Sequence, residues 1–138
     1  MKIAVVDPDK RINGLVSYKA KKALEKYRKR DKLEPFSYDS KSDCLRMYKK
    51  DGPFDEIFAF HDVRTLSDMG TDELILAIRD IESKTLSEKH CNINRVYHDG
   101  ISNNAEYVYY RDAGGRAFSG NPAVLAVELG KYFENLFL

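Results

Sequence analysis

What most constrains this chain is its rhythm: short apolar runs of strand length alternate with longer stretches of helical period along the whole sequence. Lys2 to Val6 is the first run, closed by Asp7-Pro8-Asp9. Ile12, Leu15, Val16, Ala20, Ala23, Leu24 and Tyr27 then recur at helical spacing, which predicts a helix to about residue 30. Pro35 should break the chain, and Phe36 to Tyr38 reads as a short second strand. Ser40 has the character of an N-cap, with Asp43 in the first turn where a carboxylate suits the helix dipole. Cys44, Leu45, Met47 and Tyr48 supply that helix's apolar face, and Gly52-Pro53 ends it.

Ile57 to Phe60 is a third strand, and Leu74, Ile75, Ile78 and Ile81 mark a third helix. The polar stretch ESKTLSEKHCN, 82 to 92, reads as helix extension or loop. Ile93 to Tyr97 is a fourth strand interrupted by Asn94 and Arg95, and a helix is expected around 103 to 112. Gly114-Gly115 reads as a tight turn into Arg116 to Ser119. Asn121-Pro122, an N-cap followed by proline at N1, opens a last helix with Leu125, Leu129, Tyr132, Phe133 and Leu136 inside. Parallel strands need crossovers, so strict alternation of this kind implies an α/β fold, a parallel sheet covered by helices.

Bulk properties narrow the function classes. At 138 residues and 43% apolar, the chain forms one domain, 1 to 138, able to fold unaided. Twenty-three basic residues face twenty-two acidic ones for a net charge of +1, which argues against a nucleic-acid binder or a membrane-surface protein. MKIAVVDP is no secretory signal and no apolar run could cross a bilayer. Cys44 and Cys91 lack metal-ligand spacing and read as reduced thiols, so the expected location is the cytoplasm.

Four stretches in order carry a resemblance: MKIAVVDPD, YDSKSDCLRMYKKDGPFDEIFAF, DMGTDELILAIRD and RAFSGNPAVLAVELGKYF. Together they resemble the receiver domain of two-component response regulators. The resemblance implies a flavodoxin-like (βα)5 doubly wound sheet of order 2-1-3-4-5. Its functional crevice would lie at the carboxyl ends of the strands. That gathers Asp7, Asp9, His61, Asp62, His98 and Asp99 at one rim, where receivers transfer a phosphoryl group to an aspartate with Mg²⁺.

Position by position, the match is incomplete. Counting forward from Phe54-Asp55 places the phosphoacceptor on Phe60; counting back from Gly70 places it on Asp62. The second acid of the first turn is Pro8, leaving Asp7 and Asp9, with Asp62, as candidate Mg²⁺ ligands. The lysine expected before the last proline is Asn121. Losing a cation and a metal ligand together removes most of the stabilisation phosphoryl transfer needs. The expectation is therefore a stand-alone receiver-like module that needs no cofactor and is not an enzyme. It acts on a protein partner or a second copy through the face built from the fourth helix, fifth strand and fifth helix. Tyr107, Tyr109, Tyr110 and Phe118 are its interface residues.

Two alternatives stand beside this. One is an active receiver phosphorylated on Asp62 with Mg²⁺. The other is a small enzyme holding Zn, Mn or Fe with His61, Asp62, His98 and Asp99. The eight basic residues between Lys19 and Lys32 read as a solvated helix face rather than a phosphate-backbone contact.

Overall fold

The computed structural model describes residues 1–62, 64–85, 89–98 and 116–138. Its elements are β1 (Lys2–Val6), α1 (Lys10–Tyr27), β2 (Glu34–Tyr38), α2 (Lys41–Asp51), β3 (Glu56–Phe60), α3 (Thr71–Lys84), β4 (Asn92–Tyr97), β5 (Ala117–Ser119) and α4 (Pro122–Phe137). The sheet order is β2-β1-β3-β4-β5 and every pairing is parallel. This is the doubly wound, flavodoxin-like arrangement that the alternation implied. The helix expected around 103 to 112 lies outside the described residues.

Strand alternation builds two cores from one sheet. Ile3, Val5, Phe58, Val96 and Phe118 pack with Val16, Leu24, Leu125, Leu129 and Phe133 of α1 and α4. Ala4, Val6, Ile57 and Ala59 face the other way, against Cys44 and Tyr48 of α2 and Leu74 and Ile78 of α3. Each large side chain removed from water in these layers contributes about 1.5–3 kcal/mol before entropy is charged against it. β1 lies centrally and is buried on both faces, which is why Ile3 to Val6 reads as an unbroken apolar run.

The caps are local and specific. Asp9 Oδ1 accepts the Arg11 amide at 2.9 Å. Ser40 Oγ accepts the Asp43 amide at 3.1 Å. Asn121 Oδ1 accepts the Ala123 amide at 3.0 Å, with Pro122 at the first helical position.

Two boundaries differ from the sequence expectation by more than one residue, and the polar stretch after the third helix, read as helix extension or loop, divides between the two. α1 stops at Tyr27, because Arg28 leaves helical backbone and no apolar side chain follows until Leu33 to hold another turn. Pro35 lies inside β2 instead of breaking the chain; β2 is an edge strand bonded to β1 alone, so a missing amide on the outer side is tolerated. α3 extends to Lys84 and takes in Glu82 of the polar stretch, whose carboxylate accepts the Cys91 amide at 3.1 Å and Arg79.

Candidate functional site at the carboxyl rim of the sheet

The ends of β1, β3, β4 and β5 meet the first turn of α2 at one rim. β1 delivers Asp7, which is only 1% exposed. Its Oδ1 accepts the Asp9 amide at 2.8 Å, and its Oδ2 lies 2.5 Å from His98 Nε2 at the end of β4. The hydrogen bond to Asp7 raises the His98 pKa against the opposing effect of burial, and the charges of Asp7 and Asp9 add to the rise. Asp7 and His98 therefore form a charge-assisted pair. Gly120, just beyond β5, donates its amide to the Tyr97 carbonyl at 2.7 Å. A Cβ there would stand 2.6 Å from His98 Cα, so glycine is what lets β5 close against the His98 backbone.

Asp9 is also committed. It caps α1 and pairs with the Arg11 guanidinium at 2.9 Å, and the Arg11 hydrogen bonds hold its carboxyl below the usual range. The candidate magnesium ligands of the first turn thus each hold a side-chain partner, His98 for Asp7 and Arg11 for Asp9. Among the described residues no group of three or more His, Cys, Asp and Glu is placed to hold a metal ion. As arranged, the donor set does not fit a divalent cation.

β3 ends on Phe60, whose partner in the ladder is Val96. Of the two spacing counts, the forward one therefore marks the strand terminus, and Asp62 is an exposed residue two positions beyond it. The Asp62 backbone is fixed. Its amide donates to Thr71 Oγ1 at 3.1 Å, and its carbonyl accepts the Thr71 amide at 3.0 Å. Thr71 Oγ1 in turn donates to the Phe60 carbonyl at 3.0 Å. The two candidate metal histidines separate in role: His98 pairs with Asp7, whereas the His61 ring lies 4.5 Å from Tyr97. Asp99, Tyr107, Tyr109 and Tyr110 lie outside the described residues. Phe118 corrects an expectation: it is 4% exposed and packs on Phe58 and Tyr132, so it belongs to the core rather than to a surface. The period-2 reading of so short a strand could not decide which face it takes.

Sequence reasoning missed Lys41. It is the first residue of α2, 1% exposed, with its ammonium 3.5 Å from the centroid of the Phe60 ring. Burial lowers its pKa, and the negative charges of Asp68, Asp62 and Asp7 oppose that. A signal existed. A lysine at the positive end of a helix opposes the macrodipole, so its presence there called for a local reason. The structure supplies one in Asp68, which accepts the Lys41 amide, the Ser42 amide and the Met69 amide, each at 2.9 Å. Burial works against the Asp68 carboxylate, yet these donors and the Ser42 hydroxyl hold its pKa below the usual value. Phe60 thus stands between Lys41 and His98, whose ring is 6.4 Å away in a T-shaped arrangement.

A parallel 2-1-3-4-5 sheet whose charged side chains collect at the ends of β1, β3 and β4 is a receiver fold. Solved structures agree. The response regulatory domain of protein mrkE from Klebsiella pneumoniae superposes with a TM-score of 0.55 at 15% identity, covering 98% of this chain and 99% of that one. The receiver domain of the Saccharomyces cerevisiae response regulator Ssk1, crystallised with the histidine phosphotransfer signaling protein Ypd1, gives a TM-score of 0.56 at 14% identity. That match covers 100% of this chain and 92% of that one. No family model matches the sequence, and no curated protein does.

Proposed function

We propose that this chain is a receiver-fold regulatory module that acts by contact with a protein partner or a second copy, with conventional aspartyl phosphorylation lost. The observation that carries the reading is Phe60 at the end of β3, covered by the Lys41 ammonium, while Asp7 is engaged by His98. Phosphoryl transfer to a carboxylate requires preorganised positive charge at the transferring group, supplied in large part by a metal. Here the buried acid of β1 already holds the His98 ring as its hydrogen-bond partner, and the strand-end position holds an aromatic ring.

The partner face we assign is β5 and α4 with Tyr107, Tyr109 and Tyr110, which lie outside the described residues. From α4 it has exposed Val124 and Val127, at 47% and 59%. That the Ssk1 receiver was crystallised with a protein partner supports contact as the mode of action. No helix among the described residues is long and apolar enough to cross a membrane. Cys44 and Cys91 are buried free thiols, which suits the cytoplasmic setting we assign.

Incubation with a small acyl phosphate and Mg²⁺, followed by intact-mass measurement, tests the reading; the mass should not change. One observation favours a second reading. Lys41 brings a cation within electrostatic reach of Asp62, the charge that Asn121 cannot supply. In that case the mass rises by one phosphoryl group and Asp62→Asn abolishes the gain, which overturns the first reading.

A further inference from the structure

The charge of this nearly neutral chain is segregated. Residues 19 to 32 hold eight Lys and Arg against Glu25 and Asp31, a local charge of +6 in a chain of net +1, which leaves −5 on the remainder. In the structure this segment is the C-terminal part of α1 and the turn into β2, and all eight cations but Lys19 are exposed. Elsewhere among the described residues, Lys10, Arg11, Arg46, Arg64 and Lys84 each sit in an ion pair, while Lys49, Lys50 and Lys131 do not. Among the described residues, only Lys22 of the eight forms one, with Glu25 at 3.9 Å. The helical part, Lys19 to Tyr27, spans only about 13 Å at helical rise, so neighbouring charges lie within a Debye length of roughly 8–10 Å and repel one another. An anionic partner relieves that repulsion.

Beside these cations lies a groove of about 490 Å³, lined by Tyr18, Leu24, Leu33 and Pro35 with Lys21 and Lys32, and also by Glu25 and Asp31, the two acids of the segment. Its apolar floor distinguishes among anionic partners. A nucleic acid needs aromatic faces for its bases or a long cationic track for its phosphates. The rings of Tyr18 and Tyr27 already carry the ammonium groups of Lys22 and Lys26, at 5.7 and 4.9 Å. A track longer than this segment meets the acidic remainder. A bilayer needs apolar side chains to insert, and beside this segment Tyr18, 55% exposed, is the large exposed one among the described residues. Strand addition along the β2 edge is hindered by Pro35, which has no amide to offer.

We propose that α1 and the turn into β2 dock an acidic protein segment, which sets its carboxylates against Lys21, Lys32 and their neighbours and seats one apolar side chain in the groove. This surface lies apart from the rim residues and does not depend on the loss of phosphorylation. The test is fluorescence anisotropy with a labelled peptide of alternating Glu and Ser carrying one central Leu. The wild-type protein should bind it, and added salt should weaken binding. A Lys21→Glu, Lys32→Glu double variant, whose melting temperature should match the parent because both sites are exposed, should lose about tenfold or more in affinity. Replacing the peptide's Leu by Ser should cost a similar factor. Absence of binding, or indifference to either change, overturns the proposal. So does equal or tighter binding of an oligothymidylate or of phosphatidylserine vesicles that is lost in the same double variant.

Discussion

Replacing His98 by Leu keeps the bulk of the side chain beside Phe60 but removes the donor to Asp7. Asp7 is 1% exposed and would keep the Asp9 amide, at 2.8 Å, as its neighbour in the turn. A hydrogen bond to a charged group contributes about 1.5–3 kcal/mol. The His98 side chain is 35% exposed, so solvent screening discounts the figure, and a loss of about 1.5 kcal/mol is the reasonable expectation. For a chain of 138 residues that corresponds to a fall in Tm of about 5 °C.

The pH dependence carries the stronger test. The His98 pKa is raised in the fold, chiefly by its hydrogen bond to Asp7. The stabilisation from protonation is therefore fully present below the unfolded histidine value of about 6.5, and it is lost as pH rises through the raised folded value. The neutral ring can still donate from Nε2, so a residue of about 0.5–1 kcal/mol persists at high pH. Thermal melts of parent and variant from about pH 5.5 to about pH 9 should show a gap that narrows by roughly half, Asp9, Arg11 and Lys41 being common to both proteins. A gap that is constant, or that widens with pH, refutes the assignment of Asp7–His98 as a charged pair.

Lys41→Met should leave stability unchanged or raise it by up to about 2 kcal/mol in thermal melts, since burial already disfavours the ammonium and methionine fills similar space against Phe60. A loss above about 2 kcal/mol would mean that the surrounding carboxylates depend on it. Tyr132→Phe removes a donor from the carboxylate of Glu56, itself 1% exposed, leaving Asn92 and Asn94 as donors. Urea denaturation should show about 1–3 kcal/mol of destabilisation at neutral pH. Burial raises the Glu56 pKa, so protonation favours the fold and the deficit should shrink as pH falls toward that raised value.

The elements were legible because their signals are local. Asp9, Ser40 and Asn121 cap helices through atoms two or three residues away, and the runs at Ile3–Val6 and Ile57–Phe60 state their own burial. The polar interior was not legible. Glu56 takes donors from Asn92, Asn94 and Tyr132, residues 36 to 76 positions away in the chain. Asn94 therefore read as an interruption of β4, although it is 0% exposed and bonded to the Ile57 carbonyl at 3.2 Å. The rim failed to read for the same reason. Asp7 and His98 were each singled out, but a pairing across ninety-one positions follows only from the strand order, which puts β1 and β4 on either side of β3.

That strand order also decides how the rim handles charge. Lys41 enters from α2 and His98 from β4, so the Asp7 carboxylate faces positive charge contributed by two different elements. A divalent ion drawn to Asp7 must displace the His98 ring nitrogen already 2.5 Å away. The same cations favour an anion, and Asp62 is the exposed acid beside them. Whether a phosphoryl group on Asp62 could be held by Lys41 alone, with no metal, is therefore an electrostatic question. Omitting Mg²⁺ from the acyl phosphate incubation answers it: a mass gain that persists without the metal and vanishes in Lys41→Met would make this lysine the replacement for the one missing at Asn121.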